Sequence, residues 1–176
     1  MSKRFIMTAF GEDRPGIVAD VTRLLYENSC NLEDTTMSML ADEFTLTLLF
    51  TSSDNEIEDV LARDCRRLEL DKGISAFVRQ LLPRKAESRS GYKTCTLQIE
   101  GLDQAGIVFK TSQFLADHKL NIIQLESTSG ASSESGATIY SMTIDVQVPE
   151  ALPFDQLEQE ISSVADDLNV DILLVR

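Results

Sequence analysis

The chain has 176 residues, of which 43% are hydrophobic and 26% are charged, a balance typical of a globular protein and not of a disordered one. Its formal net charge of −13 disfavours direct binding to DNA, because affinity for that polyanion comes largely from neutralising phosphates with Lys and Arg. No apolar run approaches the roughly 18 residues that a membrane-spanning helix needs, so we expect no membrane segment.

The cysteines and the first residues indicate the compartment. Cys30, Cys65 and Cys95 are widely spaced and form no C-x-x-C pair, so neither a zinc site nor a redox pair is predicted. Free, buried thiols are typical of a reducing compartment. Residues 1–4 run directly into a strand-like segment and lack the apolar stretch of a secretory signal. We therefore expect a cytoplasmic protein that needs no metal and no cofactor.

The first predicted elements are a strand over residues 5–10, a tight turn over residues 11–16 and an amphipathic helix. Pro15 suits the first turn of a helix, because N–H groups there have no acceptor within the helix and the N–H that proline lacks is not needed. The helix is predicted from one apolar stripe at helical spacing, formed by Ile17, Val18, Val21, Leu24 and Leu25. A hairpin of two strands is predicted over residues 32–50.

A second helix and a final strand complete the first half of the chain. Residues 53–56 read Ser-Asp-Asn-Glu, a capping box that predicts the start of this helix. Residues 74–82 predict the last strand, so the order is βαββαβ, the ferredoxin-like arrangement. The polar segment 84–91 predicts a linker between a domain over 1–83 and a domain over 92–176.

The second half of the chain repeats the first half at an offset of 90 residues. Residues 11–18, GEDRPGIV, return as residues 101–108, GLDQAGIV, and Asn31 returns as Asn121. The offset becomes 96 from the second strand of the hairpin onward, where Phe44 aligns with Tyr140, because the Gly- and Ser-rich hairpin loop of the second half is six residues longer. We therefore predict an α+β fold in which one βαββαβ unit occurs twice.

The repeated Gly-x-Asp-x-x-Gly turn has two compatible interpretations. As a structural feature, its first Gly lets the chain leave a strand, its second Gly allows a close backbone approach, and its Asp caps the following helix. As a functional feature, the free N–H groups of the helix N-terminus hold a carboxylate. The Asp then attracts the ammonium group of the same zwitterion.

Asn31 and Asn121 each follow the first helix of their unit. As structural residues they would be helix C-caps, because Asn tolerates the left-handed conformation. As ligand contacts, their amides offer both a donor and an acceptor, which suits a free amino acid. The sequence leaves both interpretations open.

Catalytic residues are not indicated. His118 is the single histidine and lies at the polar end of a predicted helix, where the sequence specifies no partner to orient it. The acidic residues are scattered, and the repeated turn is neither a Rossmann fingerprint nor a P-loop. We therefore predict that the protein is not an enzyme.

In these motifs the chain resembles the ACT-domain family, small βαββαβ modules that often bind amino acids and regulate a partner. The resemblance implies two four-stranded antiparallel sheets paired side by side, with the helices on one face. Effectors would bind at that interface, between the turn of one domain and the Asn of its neighbour. Carried over, the ligand-binding residues would be Gly11, Asp13, Arg14, Gly16, Asn31, Asp103, Gly106 and Asn121.

Two tandem domains of this kind without an attached enzyme resemble the glycine cleavage system transcriptional repressor group. This narrower resemblance implies an amino-acid-responsive regulator that acts through a protein partner, such as a transcriptional activator, and not by direct contact with nucleic acid. Glycine is the first candidate effector. The alternative is a ligand-free interaction module of the same family, and exposed sheet edges would allow a homodimer. The looser match of Gln104 and Ala105 favours the first turn as the ligand site.

Overall fold

The computed structural model describes residues 2–82, 91–132 and 136–175, which belong to two compact units, Met1–Ala86 and Glu87–Arg176. The predicted linker over 84–91 lies outside the described residues, except for Gly91. Each unit has the predicted order βαββαβ, so the repeated ferredoxin-like fold is confirmed.

Each unit contains one antiparallel four-stranded sheet and two helices. In the first unit the sheet order is β2-β3-β1-β4, and in the second it is β6-β7-β5-β8. The first unit consists of β1 (Lys3–Glu12), α1 (Ile17–Glu27), β2 (Asn31–Leu40), β3 (Glu43–Ser52), α2 (Ile57–Lys72) and β4 (Ser75–Leu81). The second consists of β5 (Tyr92–Leu102), α3 (Ile107–Asp117), β6 (Asn121–Ala131), β7 (Thr138–Pro149), α4 (Phe154–Leu168) and β8 (Val170–Val175).

A separate hydrophobic core fills the space between the sheet and the helices of each unit. Alternate residues of the central strands point inward, as the period of two in a strand requires. In the first unit the buried positions include Phe5, Met7, Ala9, Ile17, Val21 and Leu25. In the second they include Cys95, Leu97, Ile99, Ile107 and Leu115. Thr111 occupies the position of Val21, is fully buried, and has no partner for its hydroxyl among the residues described.

The start of α2 differs from the prediction. The helix begins at Ile57, and its N-cap residue, Glu56, makes no side-chain capping bond. The hydroxyl of Ser52 accepts from the N–H of Asp54 at 3.2 Å, and the carboxylate of Asp54 accepts from the N–H of Glu56 at 2.9 Å. The predicted capping box is wrong, because these bonds form a turn before the helix starts.

The sheet faces that point away from the helices differ between the two units. In the first unit this open face carries Phe10 and Phe77, whose rings stack with centroids 6.1 Å apart and which are 43% and 66% exposed. The positions of Ile6, Phe10 and Leu49 are occupied in the second unit by Thr96, Glu100 and Asp145. At these positions the first unit carries apolar side chains where the second carries polar and acidic ones.

Candidate functional site

The repeated turn joins the end of a central strand to a helix with unpaired N–H groups. The N–H of Asp13 donates to the carbonyl of Asp42 at 2.9 Å, which fastens the turn to the β2–β3 hairpin. The carbonyl of Gly16 accepts from the N–H of Asp20 at 2.9 Å, the first bond of α1. The N–H groups of Val18 and Ala19 have no acceptor among the described residues. They therefore give this helix end the donors and the positive potential that suit an anion.

The two glycines of each turn have roles opposite to those predicted. Gly16 and Gly106 are N-caps with φ of 89° and 103°, and a Cβ on either would meet nothing within 4 Å. Their left-handed backbone, and not a close approach, requires glycine. The close approach occurs at Gly11, where an added Cβ would lie 3.0 Å from the carbonyl oxygen of Gly73, and at Gly101. The prediction failed because residues distant in sequence pass over the first glycine, not the second.

Asp13 and Asp103 do not cap the helices, so the structural interpretation of these residues is wrong. The caps are the glycines three residues later, and neither helix has a side-chain capping bond. Both aspartates are exposed. Within the ranges that the structure describes, neither carboxylate has a hydrogen-bond or ion-pair partner. Each is therefore available to attract a cation, as the functional interpretation requires.

Arg14 is held by an acidic residue of α1. Its Nη2 lies 2.7 Å from Oδ2 of Asp20, and its Nη1 donates to the carbonyl of Pro15 at 3.4 Å. The bond from Arg14 holds the pKa of the Asp20 carboxyl below its usual value, and Lys72, 4.0 Å from Asp20, acts in the same direction. The guanidinium is thus oriented beside the helix N-terminus, with other N–H groups left to donate.

The second turn lacks this ion pair. Gln104 replaces Arg14, and its amide donates to the carbonyl of Leu168. Lys110 replaces Asp20 in the first turn of α3, so this helix start has no acidic residue. The two turns share a backbone conformation and differ in their side-chain chemistry.

Asn31 and Asn121 are not helix C-caps. The C-caps are Asn28 and His118, and the left-handed residues are those that follow them, Ser29 and Lys119. Asn31 is the first residue of β2 and is exposed, and Asn121 is the first residue of β6. The C-cap interpretation is wrong because each helix reaches its C-cap three residues earlier than it assumed. The Nδ2 of Asn121 donates to Gln147 at 3.3 Å.

Within one unit, the turn and the Asn lie at opposite ends of the sheet. On β3, Gly11 pairs with Phe44 and Asn31 pairs with Thr51, a separation of seven residues. At about 3.4 Å per residue these positions are about 24 Å apart. The pairing of Gly101 with Tyr140 and of Asn121 with Gln147 gives the same separation in the second unit. No single unit brings its own turn and its own Asn to one small ligand.

A cleft of about 460 Å³ lies beside Asn31, at the end of α1 remote from the turn. Its walls are largely apolar and include Ala19, Tyr26, Cys30 and Leu32. Tyr26 is 83% exposed and Leu32 is 42% exposed. Tyr26 at the end of α1 and Leu32 next to Asn31 therefore present apolar surface to solvent.

Burial lowers the reactivity of the three free thiols. It raises the pKa of Cys65 to about 11, and it raises the pKa values of Cys30 and Cys95 above the ordinary value. Since the thiolate is the nucleophile, these side chains are poor nucleophiles near neutral pH. No group of three or more His, Cys, Asp and Glu side chains in the described parts of the chain is placed to hold a metal ion.

Across residues 2–82, 91–132 and 136–175, none of the helices has both the length and the apolar character needed to cross a membrane.

Comparisons with known proteins match most of the chain to a transcriptional repressor and its first half to a family of small domains. The ACT domain family matches residues 3–86. The glycine cleavage system transcriptional repressor of Escherichia coli K12 is 29% identical, over 93% of this chain and 85% of its own length. A UPF0237 protein of Neisseria meningitidis serogroup B is 34% identical over 38% of this chain and 79% of its own length. The solved structure of an unknown protein from Galdieria sulphuraria has a TM-score of 0.76 at 25% identity, covering 99% of this chain and 98% of its own.

Proposed function

We propose that this chain, whose residues 3–86 match the ACT domain family, is an amino-acid-responsive transcriptional regulator of glycine cleavage that acts through a protein partner. Similarity to a transcriptional repressor over 93% of the chain supports the regulatory role. The observation that carries the amino-acid response is the first turn, which combines unpaired helix N–H groups with an unpartnered carboxylate on Asp13.

Glycine is the first candidate effector because the turn offers groups for both of its charges and glycine needs no pocket for a side chain. The N–H groups of Val18 and Ala19, with the guanidinium of Arg14 beside them, would hold the carboxylate. The exposed carboxylate of Asp13 would attract the ammonium group. Gly16 supplies the left-handed residue that starts the helix at this point.

We propose that the turn residues Gly11, Asp13, Arg14 and Gly16, and at the second turn Asp103 and Gly106, hold the ligand. Because the turn and the Asn of one unit are about 24 Å apart, a small ligand cannot contact both. We propose that Asn31 and Asn121 are ligand contacts as well, so that each would meet a ligand held by a turn other than its own. The strand β2 lies at a sheet edge and its ten residues are all exposed, so its unpaired backbone is open to another strand. The same edge would allow a homodimer.

A protein partner, such as a transcriptional activator, fits the charge of the chain better than DNA does. A net charge of −13 opposes approach to phosphates, so regulation of transcription would pass through another protein. Glycine would act by binding one arrangement of the regulator more tightly than another. A ligand can shift a conformational equilibrium only through such a difference in affinity.

Calorimetric titration with glycine and the other common amino acids tests the response. We expect heat with glycine for the natural protein and none for Asp13→Asn, which keeps the shape of the side chain and removes its charge. Glu58→Gln, at an exposed acid of α2, is the matched control and should bind normally. Asp103→Asn should have the smaller effect if the first turn is the principal site. Absence of heat with every amino acid at millimolar concentration, in a folded sample, would end the sensing proposal.

The alternative, a ligand-free interaction module, is separated from this proposal by partner capture with and without glycine. If sensing is real, glycine changes the amount of partner captured, and the double variant Asp13→Ala, Asn121→Ala abolishes that change while still docking. If docking is the only activity, glycine has no effect and the variant behaves as the natural protein does.

A further inference from the structure

In each unit, the side chain of the C-cap residue of the first helix makes two hydrogen bonds, one within its own helix and one to the second helix. The pattern is the same in both units, but the side chains differ. In the first unit the Nδ2 of Asn28 donates to the carbonyl of Leu24 at 2.8 Å and to the carboxylate of Asp64 at 3.0 Å. His118 lies at the position of Asn28 in the second unit. Its Nδ1 is 2.8 Å from the carbonyl of Phe114, and its Nε2 is hydrogen-bonded to the carboxylate of Glu160.

The two pairs of hydrogen bonds differ in the protonation state that they require of the side chain. A carbonyl and a carboxylate are acceptors only, so both nitrogens of His118 must carry a proton to make both bonds. A neutral imidazole has a single N–H, and its other nitrogen would point a lone pair at an oxygen. The NH₂ group of Asn28 has two protons and no charge to lose, so it makes both of its bonds at any pH that leaves the protein folded.

We propose that His118 is a pH-sensitive latch, which fastens the end of α3 to α4 only while its ring is doubly protonated. Asn28 is the pH-insensitive form of the same device in the first unit. Lys119, Leu120 and Asn121 follow the latch directly, and Leu120 is a buried core residue whose N–H donates to Leu115 at 2.8 Å. Release of the ring would therefore loosen the junction between α3 and β6.

The groups around the ring favour the cation. The carbonyl of Phe114 makes the largest contribution, and the charged groups that act on the ring are Glu160 from α4 and Asp117 from its own helix. The only charged residue of β6, Glu126, does not contribute. These contacts outweigh partial burial and raise the pKa of His118 above its ordinary value of 6.5. Gln156 donates to the other oxygen of Glu160 and keeps that carboxyl ionised, with a lowered pKa.

The sign of the effect follows from the raised pKa. The latch stabilises the second unit fully below the unfolded pKa of about 6.5, and the stabilisation is lost as the pH rises through the folded pKa. The side chain of His118 is 29% exposed, so solvent can reach the ring and exchange its proton without unfolding of the unit.

Amide hydrogen exchange on the full chain tests the latch. After correction for intrinsic rates, we expect the protection of residues 116–122 to fall about threefold or more between pH 6 and pH 8.5, and that of residues 26–32 to stay constant. His118→Asn, which copies the first unit, should remove this pH dependence. Equal pH dependence in the natural protein and the variant, or none in the natural protein, would overturn the proposal.

If His118→Asn does not fold, the proposal can still be tested by measuring the pKa of His118 in the natural protein and in variants of Glu160. The chain has one histidine, so the ring C–H resonances in a proton NMR titration report His118 without assignment. Glu160→Gln should lower the measured pKa of the ring, whereas Glu158→Gln, an exposed acid on the same helix, should leave it unchanged. An unaltered pKa in Glu160→Gln would show that the carboxylate does not hold the proton and would refute the latch.

Discussion

Gly101→Ala should destabilise the second unit because β8 passes directly over this residue. An added Cβ would lie 2.6 Å from Cγ1 of Val170, 3.0 Å from its Cβ and 3.1 Å from its Cα. Rotation of the Val170 side chain can relieve the first contact only. The other two contacts involve atoms fixed by the backbone of β8, which would have to move away from β5.

The expected loss of stability is about 1–2 kcal/mol. Overpacking of this kind costs about 1–3 kcal/mol, and the lower entropy of alanine in the unfolded chain offsets about 0.4–1 kcal/mol of that. For a unit of this size, about 1 kcal/mol corresponds to about 4–8 °C in the melting temperature. Val170→Ala removes the clashing methyl groups, so the double variant should lose less stability than the sum of the two single variants, with a coupling of at least about 0.5 kcal/mol.

Thermal and urea unfolding followed by circular dichroism measures these differences. Gly130→Ala is the matched control, because an added Cβ there meets nothing within 4 Å and the backbone is not left-handed. We expect it to be neutral or slightly stabilising. Two results would refute the reasoning: Gly101→Ala as stable as Gly130→Ala, or strict additivity of Gly101→Ala with Val170→Ala.

Two other substitutions and one thiol reaction test the local environments of Thr111, Gly16 and Cys65. Thr111→Val replaces a buried, unpaired hydroxyl with the residue found at Val21, and should raise the free energy of unfolding by about 1 kcal/mol in urea titrations. Gly16→Ala places a side chain at φ 89° and should cost about 1–2 kcal/mol by the same measurement, although no atom obstructs the new methyl group. Cys65, with its pKa raised to about 11, should react with a thiol reagent at pH 8 at least about tenfold more slowly in the folded protein than in urea.

The spacing of apolar residues was sufficient to predict the strands and helices of both units. Residues that recur at the period of a strand or of a helix face the same side, and in each unit that side is covered by one hydrophobic core. The alternation of Phe5, Met7 and Ala9 and the stripe of Ile17, Val21 and Leu25 are local patterns with a local cause. The roles of the turn glycines were not predictable in this way. Gly73 and Val170, which pass over Gly11 and Gly101, are more than sixty residues distant along the chain.

The candidate site was predicted in part. The sequence identified the turn as a helix start with free N–H groups, but the ion pair of Arg14 with Asp20 depends on how the turn bends back over α1. The partner of His118 was missed because Glu160 is 42 residues away. The repeat did contain a signal for it: Asn28 and Asp64 are polar at the positions of His118 and Glu160, and they are bonded to each other.

The contrast between the two open sheet faces lies at positions that neither core constrains. Phe10 and Glu100 occupy one structural position, yet one belongs to a stacked aromatic pair and the other to an acidic surface. Exchange of these outward residues between the halves should leave both cores intact. The two halves therefore share one scaffold, and its outward positions carry different surface chemistry, apolar at Phe10 and acidic at Glu100.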